Sequence, residues 1–176
     1  MGPFHRPRGS EMTERETMIR WEDPATGLAV LPTVSGLEFL TRMKNREVPG
    51  PPIAAHFAMD ILEVEPGSVT FTCTPDESHM NPIGVVHGGL VCTLLDSALG
   101  CATHTTLPAG TGYTSIEIKV SYLRPVTAAA GPLTCVGRVT KPGTRVAFAE
   151  GEVVDGAGKV VATATGSLLV FPLEHP

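Results

Sequence analysis

The sequence is poor in charged and aromatic residues. Of its 176 residues, 18% are charged and 5% are aromatic, whereas an average soluble domain has roughly 25% charged residues. The 13 basic and 18 acidic residues give a net charge of −5, which argues against a nucleic-acid partner, since such proteins usually carry a clustered basic surface. With so little charge, much of the surface must be hidden in a large core or by association between chains.

Several sequence signals are also missing. The four cysteines form no C-x-x-C pair, which excludes a zinc ribbon or a thioredoxin motif. No set of His, Asp, Glu and Cys has the spacing of metal ligands, so we expect no metal and no cofactor. No G-x-S-x-G motif of a serine hydrolase is present. No apolar run of about 18 residues predicts a membrane span, and the first residues lack a secretory signal, so we expect a cytoplasmic protein.

Glycine and proline, by contrast, are abundant. The 19 glycines and 16 prolines predict many turns. Residues 1–17 show no hydrophobic period and are predicted as a flexible tail. Residues 18–32 are predicted as a small hairpin that turns at residues 24–27. We therefore expect an N-terminal extension over residues 1–34 and a single domain over residues 35–176.

The domain itself reads as two strands, one long helix and four more strands. Ser35 and Glu38 form a capping-box pattern, which predicts a short helix that ends near Arg46. Alternating apolar residues and turn signals predict the strands. The predicted strands are 53–65, 68–74, 113–123, 132–140, 145–155 and 159–171. In the strand 113–123, the alternation places these residues on the buried side: Ile116, Ile118, Val120 and Tyr122.

The predicted central helix runs from Gly88 to about Thr105, and Asp96 is its one formal charge. A helix at the surface would carry charges on its outer face. On a helical wheel, one half is apolar: Leu90, Val91, Leu94, Leu95, Ala98, Leu99, Cys101 and Ala102. The other half is small and polar: Gly89, Cys92, Thr93, Asp96, Ser97, Gly100, Thr103 and His104. We therefore expect the sheet to cover the first half and a partner chain to cover the second.

The start of this helix carries a recognisable pattern. Asn81, His87, Gly88, Gly89 and Asp96 stand at spacings that resemble the active-site signature of the PaaI-type acyl-CoA thioesterases. The later segment Y-L-R-P, residues 122–125, is similar to a strand end in those enzymes. The resemblance implies an α+β hotdog fold, in which a curved antiparallel sheet wraps around one long central helix. It also implies hydrolysis of an acyl-CoA to a carboxylic acid and free CoA.

Gly88 and Asp96 are the two principal catalytic candidates. The backbone N–H of Gly88 opens the helix without an intrahelical partner, so it can stabilise the oxyanion of a thioester under attack. Asp96 can activate a water as general base, or attack the carbonyl itself. Structural alternatives remain: the glycines can simply permit a tight helix entry, and Asp96 can bond to Thr93 or Ser97 or pair with a remote arginine.

Three further residues complete the predicted catalytic set. Asn81 either donates to the substrate carbonyl or holds its loop, since Asn before Pro is also a common turn signal. For His87 the resemblance implies a loop-positioning role. A hydroxyl residue helps to hold the water in some relatives, and the resemblance assigns this role to Ser115, with Thr114 as its competitor.

Helix geometry then predicts a second chain. Gly88 and Asp96 are eight residues apart, which is about 12 Å along a helix axis. One carboxylate cannot span that distance and act on the same carbon. We therefore expect a homodimer with shared active sites, in which Gly88 of one chain faces Asp96 of the other. As in the thioesterase family, two sites per dimer are implied, and dimers are expected to pair into a homotetramer.

The predicted substrate-binding residues are Gly89, Thr93, Arg124, Lys141 and Arg145. The three cations suit the phosphates of CoA, although a solvated charge in a turn is the commoner role for each. Two other functions stay open from the sequence. One is a non-catalytic module that binds or senses acyl-CoA, and the other is a hydratase on the same fold. The sequence does not predict which acyl group is bound.

Overall fold

The computed structural model describes residues 13–173. Most of the predicted flexible tail, residues 1–12, lies outside them. Four helices are described: α1 (Ala25–Val30), α2 (Gly36–Lys44), α3 (Pro52–His56) and α4 (Gly88–His104). Six strands are described: β1 (Met59–Glu65), β2 (Ser68–Cys73), β3 (Thr111–Tyr122), β4 (Leu133–Lys141), β5 (Val146–Val154) and β6 (Val160–Pro172).

The six strands form one antiparallel sheet around the long helix. Their order across the sheet is β1-β2-β4-β5-β6-β3, and α4 contacts all six. The apolar half of α4 is the centre of the core, as the sequence predicted, and seven of its eight residues are buried: Leu90, Val91, Leu94, Leu95, Ala98, Leu99 and Ala102. The eighth, Cys101, is half-buried. The predicted fold class, with its central helix and antiparallel sheet, is confirmed.

Three glycines let the helix lie close against the sheet. Gly137 on β4, Gly151 on β5 and Gly166 on β6 lie beneath Ala98 and Leu99 of α4. A Cβ atom at Gly137 would stand 2.3 Å from the carbonyl oxygen of Ala98. Because that neighbour is helix backbone, it cannot turn aside as a flexible side chain would. These glycines therefore fix the distance between helix and sheet.

The small, polar half of α4 is covered differently from the prediction. Gly100, Thr103 and His104 are buried within the single chain. The ring of Tyr113 on β3 packs over Gly100, where a Cβ atom would lie 2.6 Å from it. Only the first turns of this half, including Thr93, remain exposed or half-buried. The surface left for a partner is thus shorter than the sequence suggested.

The predicted hairpin over residues 18–32 is wrong. The chain forms α1 there, followed by a 3-10 turn, Leu31–Thr33. The Asp23 carboxylate accepts the N–H of Ala25 at 2.9 Å, so a side chain before the proline caps the helix start. Leu31 then packs against the main core. The division of the chain at residue 34 stays a prediction.

Part of the predicted strand 53–65 is also wrong. Residues 52–56 form the short helix α3, and the strand begins at Met59. Pro52 stands at the start of α3, where the missing N–H costs nothing. The preceding helix α2 begins as predicted, with Ser35 Oγ accepting the Glu38 N–H at 3.2 Å.

Strand β3 changes face midway. Its pairing with β6 is interrupted by a bulge between Ser115 and Glu117, which inserts Ile116 as an extra residue. Ile118 and Val120 pack against the core as predicted, but Ile116 and Tyr122 are each 55% exposed. The predicted buried alternation is therefore wrong at those two positions. Before the bulge, Tyr113 and Ser115 both contact α4.

Candidate active site

His87 fixes the entry of α4. It is the N-cap residue, and its Nδ1 accepts the N–H of Gly89 at 2.8 Å. Accepting at Nδ1 places the proton of a neutral imidazole on Nε2. The His87 N–H in turn donates to the carbonyl of His79 at 2.8 Å. His87 is thus held in a loop-positioning contact, and the N–H of Gly89 is already used.

Gly88 lies between His87 and Tyr122, a residue for which the sequence predicted a place in a strand but no part in the site. Tyr122 donates its hydroxyl to the Gly88 carbonyl at 2.9 Å. A Cβ atom at Gly88 would stand 3.1 Å from the tyrosine ring, so the close approach of the ring favours glycine here. Among residues 13–173, the N–H of Gly88 has no hydrogen-bond acceptor. It is therefore a free hydrogen-bond donor at the N-terminus of α4, which is the positive end of the helix dipole.

Asn81 organises the loop before the helix. Its Oδ1 accepts the N–H groups of Ile83 at 3.1 Å and Val85 at 3.3 Å. The Asn81 backbone N–H donates to the Val85 carbonyl at 2.8 Å. The oxygen of the side-chain amide is therefore engaged in a turn. Its NH₂ group makes no hydrogen bond to the described residues and stays available to a substrate.

Asp96 meets Ser115 across the gap between α4 and β3. Ser115 donates its hydroxyl to Asp96 Oδ1 at 2.7 Å, whereas no hydrogen bond joins Thr114 to Asp96 in the described part of the chain. Thr93, the alternative partner from the sequence, donates instead to the Gly89 carbonyl at 2.9 Å. Within the described chain, Asp96 forms no ion pair. The carboxylate is thus oriented through one oxygen and free at the other.

Asp96 and Ser115 lie on the wall of a cavity of about 390 Å³. The wall also includes the side chains of Cys101 and His104, whose pKa values are shifted. Burial raises the pKa of the Cys101 thiol to about 12 and lowers the pKa of the His104 imidazole to about 4. Both side chains are therefore neutral near pH 7. Two carboxylates, Asp60 and Asp96, line this cavity, and Asp96 is the one that lies on α4.

Gly88 lies on a different cavity, of about 280 Å³, together with Tyr122 and Arg124. Arg124 donates to the Val160 carbonyl at 2.5 Å. The main catalytic candidates are therefore divided between two cavities of one chain. The structure places Asp96 with Ser115 and Gly88 with Tyr122, but it does not bring the two pairs together.

The remaining predicted binding residues lie elsewhere. Lys141 ends β4, with its ammonium 6.0 Å from the centre of the Phe148 ring. Arg145 precedes β5, and neither cation lines either cavity. The described residues hold no group of three or more His, Cys, Asp or Glu suited to a metal ion. No helix in the described part of the chain is long and apolar enough to cross a membrane.

Comparison with known proteins finds similarity to thioesterases and to a protein provisionally named an esterase. Residues 83–162 match the family model of the thioesterase superfamily. A provisionally named esterase of Halobacterium salinarum is 38% identical over 96 residues, which is 50% of this chain and 62% of that protein. Human acyl-coenzyme A thioesterase 13 is 29% identical over 103 residues, covering 58% of this chain and 72% of that protein.

One solved structure is similar to this chain over almost the entire length of the solved protein. It is a phenylacetic acid degradation-related protein of Ralstonia eutropha, provisionally named a thioesterase. The two chains are 30% identical, with a TM-score of 0.68. The match covers 73% of this chain and 97% of that one.

Proposed function

Since the chain belongs to the thioesterase superfamily, we propose that it hydrolyses an acyl-CoA thioester to a carboxylic acid and free CoA. The observation that carries the proposal is the Ser115 hydroxyl donated to Asp96 at 2.7 Å on a cavity wall. An oriented carboxylate without a cationic partner suits a general base. The likeness to human acyl-coenzyme A thioesterase 13 supports CoA as the thiol.

Asp96 acts as the base. The hydrogen bond from Ser115 engages Oδ1, which leaves Oδ2 to accept a proton from a water. The oxygen of that water bonds to the thioester carbonyl carbon, and the carbonyl oxygen becomes an oxyanion. The C–S bond then breaks, and the proton held by Asp96 passes to the leaving thiolate of CoA. Thr114 does not line the cavity that holds Asp96 and Ser115 and takes no part.

Gly88 acts as the oxyanion donor. Its free N–H and the α4 dipole together favour negative charge at the helix start. Losing one such donor typically costs about 2.7–4 kcal/mol of transition-state stabilisation. Tyr122 and His87 hold the peptide that follows, through the Gly88 carbonyl and the Gly89 N–H. The Asn81 NH₂ group is a second candidate donor to the same oxygen.

The two halves of the site come from two chains. Gly88 and Asp96 are about 12 Å apart along α4, and they line separate cavities. We place the exposed first turns of α4 against the same turns of a second copy, in an antiparallel contact. A homodimer then has two shared sites, and two dimers can pair. Of the predicted binding residues Gly89, Thr93, Arg124, Lys141 and Arg145, we place Arg124 against the CoA phosphates, because it is the cation that lines the Gly88 cavity.

Thiol release from acyl-CoA tests the reaction. Wild-type protein should release CoA from part of a panel of acetyl-, hexanoyl-, decanoyl-, palmitoyl- and phenylacetyl-CoA, read with a thiol reagent. Asp96→Asn should lower kcat by about 10²–10⁴-fold, the range expected for a general base. Glu150→Gln, which alters an exposed carboxylate on β5, is the matched control and should keep the wild-type rate.

Two outcomes would contradict the proposal. Full activity in Asp96→Asn would remove Asp96 from the mechanism. Tight binding of acyl-CoA by wild-type protein without release of CoA would favour the alternative, a non-catalytic acyl-CoA-binding protein.

A further inference from the structure

The cavity at Asp96 has one wall that the thioesterase family match does not cover. The match begins at residue 83, whereas α2 and α3 lie at residues 36–56. Met43 of α2 and Ala54 of α3 nevertheless line the same cavity as Asp96 and Ser115. The N-terminal helices of this chain therefore border directly on the proposed reaction centre.

We propose that the acyl group of the substrate lies in this cavity and that Met43 and Ala54 set the size it accepts. The inference rests on the proposed function, because Asp96 must act on the carbonyl for the attached acyl group to reach this space. The class of substrate is an uncharged, apolar acyl group of intermediate size, with one ring or a chain of medium length.

The lining accounts for the apolar preference. Phe39, Leu40, Ile61 and Phe71 contribute apolar side chains to it, and burying apolar surface stabilises a bound chain by about 25 cal/mol per Å². Such a wall offers no hydration to a charged end group, whose transfer from water is costly.

The charged lining residues do not alter that preference. Arg46 and Asp60 form an ion pair at 2.5 Å, with 69% and 43% of their side chains exposed, so they neutralise each other at the rim. The imidazole of His104 is neutral near pH 7 because burial lowers its pKa to about 4. An acyl group that ends in a carboxylate would therefore find no unpaired cation among the described lining residues.

The volume accounts for the size limit. A cavity of about 390 Å³ lies near the lower end of the roughly 300–1,000 Å³ typical of small-molecule sites. Ala54 contributes only a methyl group to the wall, so its position leaves room that a larger side chain would occupy. The next residue on α3, Ala55, is exposed and lines no part of the cavity.

Substitution of these neighbouring alanines tests the inference. Ala54→Phe should lower the ratio of kcat/KM for decanoyl-CoA to that for acetyl-CoA by at least about tenfold, since a misfit of even one methylene costs about 10–200-fold. Ala55→Phe adds the same ring outside the cavity and should keep the wild-type ratio. Met43→Ala enlarges the cavity and should move the preference towards longer acyl chains.

The outcomes separate this inference from the proposed function. If wild-type protein hydrolyses the panel and the Ala54 and Met43 variants keep its chain-length profile, the acyl group lies elsewhere, although the thioesterase activity stands. If Ala54→Phe does not fold, the chain-length profile of Met43→Ala by itself tests whether the acyl group lies in this cavity. If wild-type protein hydrolyses nothing, the proposed function fails, and calorimetric binding of decanoyl-CoA to the same variants decides whether the cavity holds an acyl group.

Discussion

Ser115 is the residue that gives the carboxylate of Asp96 a defined orientation. A hydrogen bond between a hydroxyl and a charged carboxylate contributes about 1.5–3 kcal/mol. The bond at 2.7 Å also decides which lone pairs of Asp96 remain free. Because the general base must point at the attacking water, orientation affects the chemical step more than the binding of substrate.

Replacing Ser115 by alanine should therefore lower kcat by about 10- to 100-fold, the equivalent of losing that bond, with little change in KM. Thr114→Ala removes a hydroxyl from the exposed neighbour on β3 and should leave both constants unchanged. Steady-state kinetics with one acyl-CoA substrate measures both. Equal losses of kcat in the two variants would contradict a specific role for the Ser115 hydroxyl.

His104 is the residue through which acid should destabilise the fold. It is 6% exposed, and burial lowers its pKa from 6.5 to about 4. Between these values the unfolded chain takes up a proton that the folded chain does not. The contribution of neutral His104 to the free energy of unfolding should therefore be fully present above pH 6.5. It should be lost as the pH falls towards 4.

The size of this effect can be measured by urea unfolding. At pH 5 the loss attributable to His104 should be about 2 kcal/mol, from 1.36 kcal/mol per pKa unit. His104→Gln carries no titrating group there, so its free energy of unfolding should fall less between pH 7.5 and pH 5. An identical fall in both proteins would show that other groups cause the acid sensitivity.

At the scale of elements, the long helix and most strands were predictable, because their apolar periodicity extends over many residues. The bounds of α4 and of β2, β4, β5 and β6 differ from the predictions by at most one residue at each end. The two short helices were missed, since α1 and α3 have six and five residues and carry too few apolar positions to show a period.

The contacts within the candidate site were predictable from the sequence only in part. Asp96 and Gly88 stood out because one is the helix's sole charge and the other opens it. The choice between Ser115 and Thr114 depended on which side of β3 faces α4, and the bulge at Ile116 decides this. A bulge is a tertiary feature that alternation alone does not reveal. Tyr122 was placed on the correct strand, yet its bond to Gly88 depends on the approach of two distant segments.

The packing of α4 on the sheet gives a prediction about stability. Gly137→Ala would bring a Cβ atom to 2.3 Å from the backbone of α4, so helix and sheet must separate. We expect a loss of about 1–3 kcal/mol in the free energy of unfolding, typical of overpacking. Gly50→Ala meets nothing within 4 Å and should change it by less than about 0.5 kcal/mol. Equal chemical denaturation curves for the two variants would contradict the close contact.

On the scale of the whole molecule, the proposed reaction requires two copies of the chain. The free N–H of Gly88 and the oriented carboxylate of Asp96 line separate cavities. A substitution that removes only the first group is available. Gly88→Pro deletes the N–H at the first position of α4, where proline is well tolerated, and the extended His87 before it, with ψ 132°, suits a following proline. Gly88→Ala adds a Cβ atom but keeps the N–H, and it measures the cost of crowding Tyr122.

Mixing two inactive variants then tests whether the site is shared. Gly88→Pro and Asp96→Asn homodimers should each lack both sites. In a mixed dimer, one site combines both defects while the other receives an intact Gly88 from one chain and an intact Asp96 from its partner. If chains pair at random, half of the dimers are mixed, so co-expression should restore about one quarter of wild-type kcat. When both substitutions are carried on one chain and co-expressed with a wild-type chain, every site of the mixed dimer is defective. Only the quarter of dimers that are wild-type homodimers then stays active, so about one quarter of the activity remains. About one quarter of the wild-type activity in both combinations supports a two-chain site, whereas a site contained in one chain would give no recovery in the first combination and half the wild-type activity in the second.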